Sequence, residues 1–154
     1  MKMIKYSVIG TSWITKAFID GAKLVPELSL SGVFSRTKER GEAFAAETGA
    51  KKVFTSLFEL ASDDCDFVYV ASPNSCHFEQ CKYLLSHKKS VICEKPVTIT
   101  ADEFRELFEL AEKNGVIYFE AIMYMHSSVR KSFKDATEKL GIITGANIDY
   151  SQLS

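Results

Sequence analysis

No stretch of these 154 residues is apolar for long enough to cross a bilayer, and neither sign of charge is in excess. The first absence excludes a helical membrane span. Lys+Arg 19 against Asp+Glu 20 leaves a formal net charge of -1, so the electrostatic footprint required for nucleic acid or an anionic membrane is missing as well. Cys65, Cys76, Cys81 and Cys93 include no C-x-x-C pair and sit in no zinc spacing. They read as structural thiols in a reducing compartment, and no metal site is expected. A G-x-x-x-x-G-K-[ST] phosphate loop is also lacking, which argues against a P-loop nucleotide site. Met1 to Lys5 leads directly into an apolar run, with no extended apolar region or small-residue cleavage site. That is not the pattern of a secretory signal, so the cytoplasm is the expected compartment.

The composition, 46% hydrophobic and 25% charged, is that of one ordinary soluble domain long enough to bury a real core. Strand and helix patterns alternate. Tyr6 to Ile9 is a short β-branched run, Gly10 permits a tight turn, and Thr15 to Lys23 is helical in period. Leu28 to Phe34 reads as a second strand, followed by a helix from Thr37 that stops at Gly49, a left-handed C-cap. Lys52 to Phe54 is a third strand. Ser56 and Glu59 form a capping box for a brief helix, and Asp63, Asp64 and Asp66 mark the loop after it. Phe67 to Ala71 is almost continuously apolar, as expected of a parallel strand covered on both faces. A helix over His77 to His87 and a strand over Ser90 to Cys93 come next, then a capping box at Thr100 and Glu103. Phe104, Leu107, Phe108 and Ala111 share one face of the helix so capped, and its Phe and Leu residues are expected in the core. Val116 to Ala121 is a further strand, and Ser128 to Leu140 a further helix. The alternation is that of a doubly wound parallel α/β sheet. Ala146 to Ser151 instead alternates polar and apolar residues, which suits a half-exposed antiparallel strand. It is expected to open a second domain that this chain lacks, and its edge could pair between copies.

In such a sheet ligands bind outside the carboxyl ends of the strands. Those ends carry Gly10-Thr11-Ser12, Ser35-Arg36-Thr37, Ser72-Pro73-Asn74, Glu94-Lys95-Pro96 and Glu120-Ala121. The first group ends a strand and opens a helix, whose unpaired N–H groups and positive dipole end suit a phosphate. Arg36 falls where a dinucleotide fold reads the ribose: a carboxylate there serves NAD, and an arginine accommodates the 2′-phosphate of NADP. A solvated arginine at a helix start is the plainer alternative. Lys95 could hydrogen-bond a substrate hydroxyl and assist its proton transfer, with Glu94 accepting from ribose hydroxyls, or the pair could be a solvated turn. His77 could cap its helix, approach a ribose or serve structure alone. Trp13 could cover a cofactor or pack into the fold.

The ordered set Ile9 to Ile14, Phe34 to Thr37, Ala71 to His77, Cys93 to Pro96 and Phe119 to Ala121 resembles the Gfo/Idh/MocA family of oxidoreductases, and the resemblance runs from about Ile4 to Tyr150. It implies an N-terminal NAD(P)-binding Rossmann domain over residues 1–122. Residues 123–154 would then be a connecting helix and the start of a truncated antiparallel-sheet substrate domain. It also implies hydride transfer between NADP, or NAD, and a hydroxyl or carbonyl of a sugar, a polyol or a related small molecule. By the same resemblance Gly10, Thr11, Ser12, Trp13 and Ile14 form the pyrophosphate turn, and Ser35, Arg36 and Thr37 lie at the 2′-phosphate. Asn74, His77 and Glu94 border the nicotinamide ribose, Ser72 and Pro73 belong to the same cofactor-binding set, and Lys95 orients the substrate and helps relay its proton. Two positions depart from the family pattern: Ser12 replaces its usual second glycine, and Met125-His126-Ser127 stands where an arginine-containing segment is common. The family's histidine acid/base belongs to its second domain, so the isolated chain is expected to bind and not to turn over. A non-catalytic dinucleotide sensor is the competing expectation.

Overall fold

The computed structural model describes residues 2–147 and 149. The chain divides into two compact units, Met1–Ala121 and Ile122–Ser154. The first contains a six-stranded sheet whose paired strands all run parallel, in the order β3-β2-β1-β4-β5-β6. Its strands are β1 (Ile4–Ile9), β2 (Leu28–Phe34), β3 (Lys52–Phe54), β4 (Phe67–Val70), β5 (Ser90–Glu94) and β6 (Tyr118–Ala121). The helices between them are α1 (Trp13–Ala22), α2 (Lys38–Thr48), α3 (Leu57–Ser62), α4 (His77–Ser86) and α5 (Ala101–Asn114). The doubly wound expectation is met, and the order reverses between β1 and β4, where such sheets open a crevice.

Alternation along the strands divides the core in two. Tyr6, Val8, Val33, Tyr69 and Ala71 pack with Ile19 and Ala22 of α1 and with Phe44 and Ala45 of α2. The residues between them, Ile9, Val68 and Val70, join Val91 and Cys93 against Leu60 of α3, Leu84 and Leu85 of α4, and Leu107 and Ala111 of α5. Both faces are therefore covered, which is why β4 carries only large apolar and aromatic side chains. Val68 and Val70 are fully buried, and burial of each is worth about 1.5–3 kcal/mol.

Local chemistry sets the helix ends. Both capping boxes form: Ser56 accepts from the Glu59 N–H, Thr100 accepts from the Glu103 N–H, and each glutamate returns to the N-cap backbone. Gly49 ends α2 at φ 85. The helix α1 starts at Trp13, two residues before the expected Thr15. The helix α5 corrects one expectation. Leu107 and Ala111 are buried, yet Phe108 is 45% exposed and packs edge-on against Tyr118 of the edge strand β6. Among the described residues β6 is the last strand of the sheet, so Phe108 lies at the sheet's edge.

The second unit contains a short helix, α6 (Met123–His126), which the sequence pattern did not announce, and α7 (Ser128–Thr137). Ser127 caps α7 by accepting from the Val129 N–H, and the expected last turn, Glu138–Leu140, tightens into a 3-10 helix. The strand expected over Ala146 to Ser151 lies largely outside the described residues, and Ala146, Asn147 and Asp149 are not in a strand. No helix among the described residues is long and apolar enough to cross a membrane.

Candidate dinucleotide site at the carboxyl edge of the sheet

Register brings the candidate segments level. Ile9 pairs with Phe34 on one side and Val70 on the other, Val70 pairs with Cys93, and Glu94 pairs with Ala121. The residues that follow each strand therefore emerge along one edge.

At the first strand end Gly10 has φ 106, and a Cβ there would lie 2.5 Å from the Ala71 carbonyl oxygen. Only glycine fits this turn. Ser12 is the N-cap of α1 but makes no capping bond. Its hydroxyl lies 3.4 Å from that of Thr15, and the first turn holds no acidic residue. The N–H groups at the start of α1 thus have no side-chain acceptor, and the positive end of the helix faces the turn. Trp13 is 78% exposed and Ile14 half-buried, so the indole does not pack into this unit.

At the end of β2 Ser35 is buried under α2, where a Cβ on Gly41 would approach its Cβ to 3.2 Å. Arg36 and Thr37 are exposed, and Thr37, the N-cap of α2, makes no capping bond. Arg36 forms no hydrogen bond or ion pair with any described residue. Sequence reasoning missed Arg40. Its Nε donates to the Thr11 hydroxyl at 2.8 Å, which ties α2 to the turn after β1. Arg40 lies in the first turn of α2, directly after the Ser35-Arg36-Thr37 strand end, and that adjacency was its only visible signal.

Beyond β4, Ser72 donates to Gln80 at 2.7 Å, and Pro73 and Asn74 are exposed. His77 is placed differently from a ribose contact. It is 1% exposed, with Nδ1 2.9 Å from the Pro96 carbonyl oxygen and Nε2 2.8 Å from that of Ser72. Both carbonyls only accept, so a neutral ring donates to one of them and an imidazolium to both. Either way neither nitrogen points to a ligand.

Beyond β5, Glu94 forms no ion pair with Lys95. It accepts instead from the Tyr69 hydroxyl at 2.6 Å, while Glu120 at the end of β6 accepts from the Val97 N–H at 3.2 Å. The Lys95–Pro96 peptide is cis. Lys95 is exposed and engages no described residue. Burial, chiefly, and the Glu94 carboxylate push the Tyr69 hydroxyl well above the usual phenol range, so it stays a donor. Neither Tyr69 nor Glu120 was assigned a role from the sequence. A hydroxyl inside an otherwise apolar strand, one residue before its end, was the visible hint for the first.

The edge fits a dinucleotide by its own donors: a glycine turn that no Cβ could enter, a helix start without a side-chain cap, and a guanidinium and an ammonium that engage no described residue. Among the described residues no group of three or more His, Cys, Asp or Glu is placed to hold a metal ion. This sheet order with these strand-end groups defines the dinucleotide-binding class of doubly wound proteins. The sequence model of the oxidoreductase family Gfo/Idh/MocA, NAD-binding Rossmann fold, matches residues 4–122. The chain belongs to that family. It is 38% identical over 153 residues to scyllo-inositol 2-dehydrogenase (NADP(+)) IolU of Bacillus subtilis, covering 99% of this chain and 47% of that protein. It is 39% identical, with the same coverage, to the oxidoreductase YgjR of Escherichia coli. Among solved structures, the 3-ketoreductase KijD10 of Actinomadura kijaniata, in complex with TDP-benzene and NADP, superposes with a TM-score of 0.85 at 26% identity. That match covers 92% of this chain and 45% of KijD10. The chain thus spans about half the length of the relatives it matches.

Proposed function

We propose that this chain is the cofactor-holding part of an NADP-preferring oxidoreductase that moves hydride between the nicotinamide and a hydroxyl or carbonyl of a sugar, polyol or similar small molecule. Arg36 carries the reading. It is a guanidinium with no partner among the described residues, at the end of β2, where the sequence offers no carboxylate to accept from the ribose 2′-hydroxyl. A guanidinium forks onto phosphate oxygens with charge-assisted bonds. The relatives support the cofactor and the substrate class, since one is an NADP(+) inositol dehydrogenase and another a ketoreductase bound to NADP.

In this reading residues 1–122 hold the cofactor and residues 123–154 begin the substrate side. The pyrophosphate rests on the Gly10–Ser12 turn, and Arg36 takes the 2′-phosphate with Arg40 beside it. Glu94 accepts from ribose hydroxyls. Lys95 donates to the oxygen at the reacting carbon, where it aids proton transfer as hydride moves. The bound nicotinamide supplies the hydride acceptor or donor.

Titration of the Trp13 fluorescence with NADPH and NADH is expected to show tighter NADPH binding, and Arg36→Ala to remove most of the preference. One charge-assisted phosphate contact of about 1.5–3 kcal/mol corresponds to roughly a tenfold to hundredfold difference in Kd. Equal affinities for the two cofactors in the unchanged chain would overturn the assignment of Arg36.

A further inference from the structure

The turn that carries Lys95 is held from three directions by side chains remote in sequence. Tyr69 of β4 donates to Glu94 at 2.6 Å, His77 of α4 lies 2.9 Å from the Pro96 carbonyl oxygen, and Glu120 of β6 accepts from the Val97 N–H at 3.2 Å. Val97 is itself buried in the core against α5. Of the four residues from Glu94 to Val97, only Lys95 has a polar side chain that engages no described residue. A lysine has four rotatable side-chain bonds, so the place of its ammonium group depends on how firmly its backbone is fixed.

Resting on the reading above, we infer that His77 and Glu120 are positioning residues for Lys95, gripping the peptide groups of Pro96 and Val97 so that its Nζ is presented to the reacting end of the bound cofactor. Their action is through backbone atoms. His77 also joins the turn to the strand end before it, because its other nitrogen faces the Ser72 carbonyl at 2.8 Å. The ends of β4, β5 and β6 are thereby coupled at the point where the lysine leaves the sheet. Removing either grip should leave the cofactor bound and the lysine present but misplaced.

The test needs no turnover. The full 154-residue chain is labelled with N-hydroxysuccinimide acetate, with and without saturating NADPH, and acetylation at each lysine is followed by peptide mass spectrometry. In the unchanged protein NADPH is expected to slow labelling of Lys95 at least tenfold and to leave Lys113 unaffected. Glu120→Ala and His77→Leu should reduce that protection to threefold or less while the Kd for NADPH stays within threefold. Glu120→Gln, which keeps an oxygen to accept from Val97, should retain the protection. His77 is buried and its variant could fail to fold, but Glu120 is partly exposed and its pair of variants decides the question alone. Full protection in Glu120→Ala overturns the inference, as does loss of NADPH binding in a folded Glu120→Ala, which would make the residue part of the cofactor site. NADPH that binds the unchanged chain without shielding Lys95 overturns it too. If NADPH does not bind the unchanged chain, the cofactor reading itself fails, a result distinct from the others.

Discussion

The two ends of the sheet treat charge in opposite ways. At the amino end the acidic loop before β4 is neutralised: Asp63 accepts from Ser31 at 2.7 Å and pairs with Lys52, Asp64 pairs with Lys5 at 2.7 Å, and Asp66 accepts from the Lys5 N–H at 2.7 Å. The Lys89 ammonium is spent on the carbonyls of Asp63 and Cys65. At the carboxyl end Arg36 and Lys95 meet no described partner, and the start of α1 has no side-chain cap. Desolvating charge is costly unless it is paired, so an end that closes its charges internally serves the fold. We propose that the end which leaves Arg36 and Lys95 facing solvent serves an anionic ligand. Substitutions at the amino end should therefore act on stability alone, and those at the carboxyl end on binding.

The largest effect is expected where the carboxyl end also has a backbone constraint. Gly10→Ala places a Cβ 2.5 Å from the Ala71 carbonyl and asks an L-residue to hold φ 106. The combined cost is about 2–5 kcal/mol, read as a lowered urea midpoint, and NADPH affinity should fall at least tenfold because the β1–β4 crevice must widen. A variant as stable as the parent would mean the turn is softer than its geometry.

At the amino end Asp63→Ala should cost about 1–3 kcal/mol with the Kd for NADPH unchanged. Burial raises the Asp63 carboxyl pKa, but the hydrogen bonds from Lys52 and Ser31 and the Lys52 charge together hold it below its ordinary value of 3.8. A depressed carboxyl pKa contributes stability that is present above the unfolded value and lost as pH falls through the folded one. The gap between parent and variant should accordingly be full at pH 7 and shrink below about pH 3.8. Urea unfolding at the two pH values measures it, and a change in NADPH affinity would break the division between the ends.

Periodicity and caps made the frame legible. The bounds of β2 and β3, both capping boxes and the strand-end edge follow from local pattern. What local pattern could not carry was pairing across the chain. Asp63, read as a loop residue, is buried and accepts from Ser31, the β2 residue that the register slip between Tyr6 and Ser7 leaves without a partner in β1. His77 was open to a ligand role until two carbonyls, one of them nineteen residues away, were found against its ring. Phe108 satisfied the helical stripe, but which part of a stripe is covered depends on what stands beyond the edge strand.

The smallest effect sharpens the comparison at the level of one oxygen atom. Tyr69 and Tyr118 are both buried, 2% and 5% exposed, on strands separated by β5. The Tyr69 hydroxyl donates to Glu94 at the carboxyl edge, whereas the Tyr118 hydroxyl is buried without a hydrogen-bond partner among the described residues. Tyr69→Phe removes a bond to a charged acceptor and should cost about 1–2 kcal/mol. It should also weaken NADPH binding severalfold, because Glu94 is released from the orientation that meets the ribose. Tyr118→Phe removes an oxygen that gains nothing in the fold, so its effect should lie between zero and about 1 kcal/mol of stabilisation with binding unchanged. Opposite signs from the same chemical change would confirm that hydroxyls at the carboxyl edge are there to aim other groups. Equal losses in the two variants would show that Glu94 holds its place without Tyr69.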